Sequence, residues 1–284
     1  MEQLNSIAEL RDRVVKWRAS GQRIAFVPTM GNLHAGHATL VDRAREVAEC
    51  VAVSIFVNPL QFGVNEDFGK YPRTLDADRD LLRRHQAAAV FVPSVSDMYP
   101  RPLTETTMVS VPELSDILCG AYRPGHFVGV ATVVARLFNL VQPDVALFGE
   151  KDWQQLAVIR RMVQDLAFPI EIVGVPTVRE ADGLAMSSRN SYLTGSERAK
   201  APLLFATLQR VARQLQVQRG AEFGELAGLA QAELVRQGFS VDYVTIRRAM
   251  DLASPGTGDD EFIVLAAAWL GRARLIDNLV VRRC

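Results

Sequence analysis

The sequence lacks the features of membrane, secreted and nucleic-acid-binding proteins. Its longest uninterrupted apolar run, Phe262–Leu270, falls far short of the ~20 residues that span a bilayer. The N-terminus is charged and helix-patterned and has no apolar signal core, so we expect no export. Lys and Arg total 32, and Asp and Glu total 32. The net charge is therefore zero, and such a chain lacks the broad positive field of a nucleic-acid-binding protein.

Cysteine is also scarce. The three cysteines, Cys50, Cys119 and Cys284, have neither metal-site nor redox spacing, which is typical of a reducing compartment. Hydrophobic residues make up 49% of the chain and charged residues 23%, the balance of a globular protein with a substantial core. We therefore predict a cytoplasmic protein with one large domain or two smaller ones.

Several common motifs are missing as well. No GxGxxG sequence follows the first predicted strand, and no GxSxG sequence exists. The segment 63–70 resembles a phosphate-binding P-loop, but its glycines have the wrong spacing, and Tyr71 stands where Ser or Thr would contact magnesium. Any nucleotide binding must therefore use other residues.

In the first part of the chain, short apolar runs alternate with amphipathic stretches. Near-continuous apolar strands that alternate with helices indicate a parallel sheet covered on both faces. We therefore predict an α/β fold, a Rossmann-like doubly wound parallel sheet, over residues 1–175. The predicted strands are 23–29, 51–57, 88–92, 145–148 and 170–175, and the predicted helices are about 38–50, 76–86, 128–141 and a stretch from Trp153.

The pattern changes from about residue 176. A polar loop leads to two predicted helices, about 196–218 and 222–237. No helical pattern separates the last two predicted strands, which is typical of an antiparallel pair. We therefore predict a smaller α+β domain over 176–284, acting as a lid. Its predicted strands are about 240–247, 261–269 and 273–279.

One stretch between the first predicted strand and the next helix carries the strongest chemical signal. Residues 28–37 read Pro-Thr-Met-Gly-Asn-Leu-His-Ala-Gly-His. In an open α/β sheet this turn faces the ligand crevice, and the helix that follows offers backbone N–H groups to an anion. His34 and His37 lie three residues apart, so both imidazoles can donate to one phosphate as negative charge builds. The stretch therefore predicts a phosphate-binding loop.

A zinc half-site and a pair of structural histidines are the alternatives. Two histidines at this spacing need at least one more zinc ligand, and no HExxH sequence is present. Gly31 and Gly36 allow the backbone to approach a ligand closely. The glycine-rich turn after a buried strand therefore favours the phosphate interpretation.

Two further segments suit a polyphosphate. Residues 149–152, Gly-Glu-Lys-Asp, follow a predicted strand at the same sheet edge, where Lys151 would neutralise phosphate and Asp152 would accept from ribose hydroxyls. Residues 186–189, Met-Ser-Ser-Arg, offer two hydroxyls and a guanidinium. Taken alone, the first segment is also typical of an ordinary charged helix cap, and the second is more typical of a solvated loop. Together the segments predict a nucleotide clamp with a closing loop.

Amide side chains complete the predicted site. Gln61 follows the second predicted strand, and Gln155 begins the helix after Lys151. The two amides can hydrogen-bond a small hydroxy acid while Phe62 supplies an apolar wall. Taken alone, either glutamine is about as typical of an ordinary surface position as of a binding site.

The ordered series of motifs is similar to that of the pantothenate synthetase family, the pantoate–β-alanine ligases of the HIGH-motif nucleotidyltransferase superfamily. The resemblance covers nearly the whole chain and departs from the family pattern at Val128 and Arg248. Its segments are PTMGNLHAGH at 28–37, VNPLQF at 57–62, YPRTLDAD at 71–78, GHFVGVATVV at 125–134, LFGEKDWQQLAVIRRMV at 147–163, READGLAMSSRNSYLT at 179–194 and AAWLGRARLIDN at 267–278.

The resemblance implies an ATP-dependent ligase of pantothenate and coenzyme A biosynthesis. ATP and pantoate would form pantoyl adenylate and pyrophosphate, and β-alanine would then displace AMP to give pantothenate. Because pantoate's own carboxylate is the nucleophile, positioning and charge stabilisation suffice. Magnesium would be carried mainly by the ATP phosphates, with Asp78 as a possible protein contact. The family is usually a cytoplasmic homodimer.

By motif position, the resemblance also implies residue roles. The catalytic residues would be His34, His37, Lys151 and Arg189, with His37 as proton donor. ATP would be bound by Met30, Gly31, Asn32, Leu33, His34, Ala35, Gly36, His37, Gly149, Glu150, Lys151, Asp152, Val178, Met186, Ser187, Ser188 and Arg189. Pantoate would be bound by Gln61 and Gln155, and β-alanine by Gln61 and Asn58.

Two other functions compete with this one. Another HIGH-motif nucleotidyltransferase, or an aminoacyl-tRNA synthetase fragment, would share the histidine pair and the Met-Ser-Ser-Arg segment, but zero net charge and the lack of room for an anticodon domain disfavour tRNA binding. A non-catalytic ATP-binding sensor would bind the nucleotide without turnover. Binding alone does not demand paired imidazoles, so His34 and His37 favour the enzyme.

Overall fold

The structure is a computed structural model, and it describes residues 1–63, 68–217, 222–256 and 258–283. Part of the P-loop-like segment lies outside the described residues, as do Cys284 and residue 218 at the end of a predicted helix. Within the described ranges, no helix is long and apolar enough to cross a bilayer.

The chain divides into two compact units, and each unit combines two separate stretches of the sequence. The first unit contains Met1–Glu150 and Val158–Pro176, and the second contains Lys151–Ala157 and Thr177–Cys284. The predicted assignment of 176–284 as a lid domain, next to a domain over 1–175, stays a prediction.

Helices and strands alternate along the first unit and separate in the second. In chain order the elements are β1 (Glu2–Leu4), α1 (Ile7–Ala19), β2 (Ile24–Thr29), α2 (Ala35–Val47), β3 (Cys50–Ile55), α3 (Leu75–Arg84), β4 (Ala89–Phe91), α4 (Val95–Met98), α5 (Cys119–Tyr122), α6 (His126–Val141), β5 (Val145–Gly149), α7 (Trp153–Asp165), β6 (Glu171–Val175), α8 (Gly195–Lys200), α9 (Leu203–Val217), α10 (Phe223–Arg236), β7 (Ser240–Arg248), β8 (Glu261–Leu270) and β9 (Ala273–Arg282). Short 3₁₀ turns lie at Pro59–Gln61, Phe68–Lys70, Leu103–Glu105, Glu150–Asp152 and Ser188–Tyr192.

The first unit is built on a six-stranded parallel sheet in the order β1-β4-β3-β2-β5-β6. The central strands of the sheet are buried on both faces, as the continuous apolar runs predict: Ile24, Ala25, Phe26 and Val27 of β2 are all fully buried. The chain runs outward from β2 to β3 and β4, then returns to β5 on the other side of β2. The strand order therefore reverses between β2 and β5, where open α/β sheets bind ligands.

The N-terminal strand was not predicted. β1 is only three residues long and pairs in parallel with β4, Glu2 opposite Ala89. Three residues are too few to show the alternation of a strand, so the sequence does not distinguish β1 from the charged helix α1 that follows. Its position at the sheet edge depends on a strand more than 80 residues away.

Two predicted helix boundaries were wrong for local reasons. α2 begins at Ala35, three residues earlier than predicted, because His34 caps it, and it ends at Val47, since Cys50 already belongs to β3. The single predicted helix 196–218 is two helices, α8 and α9, because Pro202 has no N–H group to donate to the hydrogen-bond ladder of a continuous helix.

Helix α6 fixes the turn that follows β3. Nearly all of α6 is buried, and its glycine, Gly129, lies directly against the turn Pro59–Gln61. A Cβ atom at Gly129 would lie 2.1 Å from the carbonyl oxygen of Leu60, so only glycine fits this approach. The packing of one helix therefore sets the position of Gln61.

The second unit is an antiparallel sheet in the order β7-β8-β9, covered by α9 and α10. Its core is apolar, with Leu208, Leu215 and Leu234 from the helices packed with Phe262 and Val264 from β8. A parallel doubly wound sheet followed by a smaller α+β unit confirms the predicted fold class.

Candidate active site

The predicted site residues fall into two groups, one in each unit. The first unit holds the segment Met30–His37, which we call the histidine loop, together with Asn58, Gln61, Asp78 and Gly149–Glu150. The second unit holds Lys151–Asp152, Gln155 and the segment Val178–Arg189, which we call the serine loop.

The histidine loop leaves the carboxyl end of β2 in a conformation that needs glycine. Gly31 has φ of 81°, and a Cβ there would lie 3.0 Å from the Ile55 side chain and 3.1 Å from Asp78 Oδ2. Asn32 follows with φ of 52°. Positive φ at two successive residues produces a tight turn at the end of β2.

Asp78 holds that turn. Its Oδ2 accepts the N–H of Asn32 at 3.0 Å, and its Oδ1 accepts the N–H of Leu33 at 2.8 Å. Thr74 adds a side-chain hydrogen bond to Oδ1 at 3.1 Å, and the Asp78 side chain is 2% exposed. The buried carboxylate at the start of α3 is therefore an anchor of the loop.

The two imidazoles are fixed in one tautomer by the backbone. His34 Nδ1 accepts the N–H of Gly36 at 3.2 Å, and His37 Nδ1 accepts the N–H of His34 at 3.3 Å. Because a backbone N–H can only donate, both Nδ1 atoms are acceptors, and in each neutral ring the proton must lie on Nε2. The ring centroids are 4.2 Å apart. The pair therefore presents two Nε2–H donors.

The position of the pair adds to its suitability for an anion. His34 and His37 form a reciprocal cap at the first turn of α2, and that turn contains no acidic residue. The N-terminal end of a helix carries partial positive charge. Ala25 and Phe26 of β2 pair with Val145 and Ala146 of β5, so Gly149–Glu150 leaves the sheet beside this turn.

Asn58 and Gln61 form a buried amide pair at the end of β3. Asn58 Nδ2 donates to Gln61 Oε1 and to the carbonyl of Gly129, each at 3.1 Å. Asn58 Oδ1 accepts the N–H of Leu60 at 3.2 Å and the hydroxyl of Tyr99 at 2.8 Å. Asn58 is fully buried, and all four of its side-chain hydrogen-bonding positions are taken. This differs from the expectation that Asn58 contacts β-alanine directly.

The backbone of Gln61 is held as well. Its carbonyl oxygen lies 2.9 Å from His126 Nδ1 and 3.3 Å from Arg123 Nη2. His126 Nε2 accepts from Arg123 Nη1 at 3.0 Å, because a guanidinium can only donate, so Nδ1 carries the ring proton and donates to Gln61. Two side chains at the start of α6 therefore keep the Gln61 backbone in place.

In the second unit, the segment Lys151–Ala157 begins with a cation. Lys151 Nζ lies 3.9 Å from Asp152 Oδ2, a loose ion pair, and the Lys151 carbonyl accepts from Asn278 Nδ2 at 2.9 Å. Trp153 Nε1 donates to the carbonyl of Ala249 at 3.1 Å. The segment is therefore attached to the small sheet, and Gln155 lies on it in a half-buried position.

The serine loop is a short hairpin followed by a 3₁₀ turn. The Met186 N–H donates to the Val178 carbonyl at 2.9 Å, so an adenine contact there would use the Val178 N–H and the Met186 carbonyl. Ser187 Oγ caps the turn by accepting the N–H of Arg189 at 3.3 Å. Ser188 and Arg189 are half-buried.

An ion pair that the sequence analysis did not identify holds the hairpin. Arg179 binds Asp277 of β9 through two hydrogen bonds of 2.7 and 2.9 Å, and its guanidinium lies 3.4 Å from the ring centroid of Phe205. Asp277 is 4% exposed. Both residues belong to segments quoted for the resemblance, but only the fold brings them together. Tyr99, His126 and Arg123 were missed for the same reason.

No group of three or more His, Cys, Asp or Glu side chains suited to a metal occurs among the described residues. Asp78 is a single carboxylate, and both its oxygens already accept backbone N–H groups. It therefore does not fit a magnesium ion held by the protein itself.

A doubly wound sheet with two imidazole donors at its switch point defines a protein of the nucleotide-binding α/β class. The particular family follows from comparison with known proteins. The family model described as pantoate-beta-alanine ligase matches residues 2–280. The chain belongs to this family, and it is an enzyme of the ligase class. The expectation drawn from the motif series is confirmed.

Curated relatives and solved structures agree. The chain is 57% identical over 277 residues to the pantothenate synthetase of Shewanella amazonensis, covering 98% of each chain, and 55% identical over 280 residues to that of Pseudomonas putida, covering 98% and 97%. The pantothenate synthetase structure from Thermus thermophilus has a TM-score of 0.90 at 47% identity, covering 98% and 99%. A pantoate-beta-alanine ligase from Francisella tularensis, complexed with beta-gamma ATP and beta-alanine, has a TM-score of 0.79 at 31% identity, covering 99% and 97%.

Proposed function

We propose that this chain condenses pantoate with β-alanine in two steps at the expense of ATP. In the first step a pantoate carboxylate oxygen attacks the α-phosphorus, the bond to the β-phosphate oxygen breaks, and pyrophosphate leaves. In the second step the β-alanine nitrogen attacks the carbonyl carbon of pantoyl adenylate, loses a proton, and AMP leaves. The products are pantothenate, AMP and pyrophosphate, and the pathway is pantothenate and coenzyme A biosynthesis.

The observation that carries the proposal is the paired Nε2–H donors of His34 and His37. Both rings are held by backbone N–H groups on Nδ1, so neither donor has to reorganise when charge develops on the phosphate. His37 would act as proton donor to the departing pyrophosphate. Lys151 and Arg189 would supply positive charge, as the catalytic cations of the second unit.

The remaining ATP contacts are proposed from the same two loops. Gly31 and Asn32 turn the backbone of the histidine loop, and Asp78 holds that turn, so the loop has a fixed shape before the triphosphate binds. Gly149 and Asp152 would hold ribose, and Val178 and Met186 adenine. The other proposed ATP-binding residues are Met30, Leu33, Ala35, Gly36, Glu150, Ser187 and Ser188.

The acid substrates would be held by amides. Gln61 and Gln155 would bind pantoate, and Gln61 would lie near β-alanine as well. The geometry supports an indirect role for Asn58, because its four hydrogen-bonding positions are already used within the protein.

Magnesium would enter as part of the substrate, bound to the ATP phosphates, where it neutralises phosphate charge. We also propose that the active form is a cytoplasmic homodimer, in line with the scarcity and spacing of cysteine and with the family pattern. The paired histidines support placing the chain in the HIGH-motif nucleotidyltransferase superfamily.

The first experiment is exchange of labelled pyrophosphate into ATP, with pantoate present, absent or replaced by amino acids. Pantoate-dependent exchange, followed by release of AMP on addition of β-alanine, is the expected result. Exchange supported by an amino acid would move the chain toward the synthetases. ATP binding without exchange in any mixture would mean a sensor and would contradict the proposal.

A further inference from the structure

We propose that Tyr99 is a positioning residue for pantoate binding. Together with the Leu60 N–H and the Gly129 carbonyl, its hydroxyl holds the Asn58 amide, and Asn58 in turn orients the side-chain amide of Gln61 so that Nε2 faces the substrate as a hydrogen-bond donor. The inference rests on the proposed role of Gln61 in binding pantoate. It adds a residue that makes no substrate contact of its own.

The first step is the orientation of the Asn58 amide. The Leu60 N–H can only donate, and it points at one amide atom of Asn58, which must therefore be oxygen. The Gly129 carbonyl can only accept, and it faces the other atom, which must be nitrogen. Two backbone groups thus fix which way round Asn58 sits.

The second step is the direction of the Tyr99 hydrogen bond. Tyr99 Oη lies 2.8 Å from Asn58 Oδ1, and since that oxygen can only accept, Tyr99 must donate. Tyr99 is 5% exposed, and burial raises the pKa of its hydroxyl above the ordinary value of 10, so it keeps its proton. The hydroxyl is therefore a permanent donor that fills the second acceptor site of Asn58.

The third step transfers this orientation to Gln61. Asn58 Nδ2 donates its second N–H to Gln61 Oε1, at a distance of 3.1 Å. With Oε1 engaged, the Gln61 amide presents Nε2 and its two N–H donors to a ligand. Such a group suits the hydroxyl or carboxylate oxygens of a hydroxy acid and disfavours the ammonium of β-alanine. Any contact of Gln61 with β-alanine would therefore be made to its carboxylate.

Removal of the hydroxyl should leave the surrounding backbone in place. The Gln61 carbonyl is held by His126 and Arg123, and the Leu60 backbone packs against Gly129, none of which involves Tyr99. The Tyr99 ring also packs against Phe56, with centroids 6.1 Å apart, and phenylalanine would preserve this contact. The variant Tyr99→Phe therefore tests the hydrogen bond alone.

The experiment is a double-mutant cycle of Tyr99→Phe and Gln61→Ala, with the pantoate KM, the ATP KM and kcat measured in the complete reaction. Tyr99→Phe removes one of the two hydrogen bonds to the buried Asn58 Oδ1 and so loosens the Asn58 and Gln61 amides, which predicts a rise of up to about tenfold in pantoate KM. We expect little change in the ATP KM or in kcat. In the Gln61→Ala background, Tyr99→Phe should change pantoate KM by less than about twofold.

Thr132→Val is the matched control. Thr132 lies on α6 and is 5% exposed; its hydroxyl accepts the N–H of Val109 at 2.9 Å and donates to Met108 Sδ at 3.7 Å, so these hydrogen bonds do not involve Asn58 or Gln61. It loses a buried hydroxyl of the same unit, so a comparable fall in Tm without a rise in pantoate KM is expected. An equal rise in pantoate KM for this control would mean a general structural effect and would overturn the inference.

The cycle separates the two levels of the argument. If Gln61→Ala leaves pantoate KM unchanged, the proposed role of Gln61 fails, and the inference fails with it. If Gln61→Ala raises pantoate KM while Tyr99→Phe has no effect, or the two effects multiply, the role of Gln61 stands and the role of Tyr99 is overturned.

Discussion

The histidine loop and the serine loop are held in place by different kinds of interaction. In the first unit, Asp78 accepts the backbone N–H groups of Asn32 and Leu33, with no cationic side chain in that contact. In the second unit, a bidentate ion pair between Arg179 and Asp277 ties down the base of the hairpin. Asp78 binds the backbone of the histidine loop directly. Asp277 binds the side chain of Arg179 and so holds the backbone of the serine loop only through that side chain.

The difference has a physical consequence for each loop. The histidine loop is bound to Asp78 through its backbone N–H groups and not through the side chains of His34 and His37. In the serine loop, the structural cation is Arg179, which is paired with the buried Asp277. Arg189 has no acidic partner among the residues that the structure describes. In each loop the charged anchor is therefore a different residue from those proposed to act on the substrate.

The largest expected effect comes from breaking the buried ion pair. Asp277→Asn keeps the shape of the side chain and leaves the Arg179 guanidinium without its counter-charge, which costs about 3–5 kcal/mol when a buried pair loses one partner. Urea unfolding should show this loss. A cost below about 1 kcal/mol would mean that Phe205 and the carbonyls around Arg179 hold the hairpin without Asp277.

The next effect concerns the donors of the histidine loop. His37→Ala removes one Nε2–H and should lower kcat by on the order of 10²-fold or more, with a much smaller change in ATP binding. Single-turnover adenylate formation and ATP titration measure the two quantities separately. Equal losses in rate and binding would remove the transition-state role of His37.

A smaller effect is expected from Asp78→Asn, which sharpens the contrast between anchor and metal ligand. The amide retains one acceptor atom for two N–H groups, so the loop should loosen by about 1–3 kcal/mol and the ATP KM should rise. If Asp78 is an anchor only, Asp78→Asn should not change the magnesium concentration needed for half-maximal activity at a fixed concentration of MgATP. A shift in that requirement would instead favour metal coordination by Asp78.

The smallest effect is expected for the exposed pair at the tip of the serine loop. The Arg198 hydrogen bond holds the pKa of Asp182 below its ordinary value of 3.8. The stabilisation is present above that value and is lost as pH falls through the lowered pKa. Both side chains are more than a third exposed, so solvent screening reduces the contribution to well under 1 kcal/mol.

The corresponding variant tests this assignment and serves as the exposed counterpart of Asp277→Asn. Asp182→Asn should lower stability slightly at neutral pH and flatten its dependence on pH below about 4. Urea unfolding at pH 7 and pH 3 measures both. A loss as large as that of Asp277→Asn would contradict the distinction between a buried and an exposed ion pair.

Much of the fold could be predicted from sequence because the strands of the first unit are buried on both faces. The runs 23–29 and 51–57 are continuous and apolar, and they correspond to β2 and β3 within two residues at each end. The strand β1 and the break before α9 could not be predicted in this way. One depends on pairing with β4, and the other on a single proline inside an otherwise helical pattern.

The candidate site shows the same division. The pair His34 and His37 was predictable because both residues and the turn between them are contiguous in the chain. The role of Asp78 as an anchor was not, because the side chain lies 45 and 46 residues from the N–H groups it accepts. The prediction that Asn58 touches β-alanine came from motif position alone and stays a prediction; the hydrogen bonds of the buried Asn58 to Tyr99 and Gly129, which join residues far apart in the chain, support the indirect role proposed above.

The sequence by itself determined the class of fold, the family and the residues that can do chemistry, because periodicity and local spacing fix which groups occur at a strand end or a helix start. Only the tertiary structure decided the protonated nitrogen of each imidazole, the orientation of the Gln61 amide and the partners of Asp78 and Arg179. Those properties depend on hydrogen bonds whose geometry, and in most cases whose partners, only the folded chain brings together. Donor and acceptor directions therefore become definite only in the folded chain.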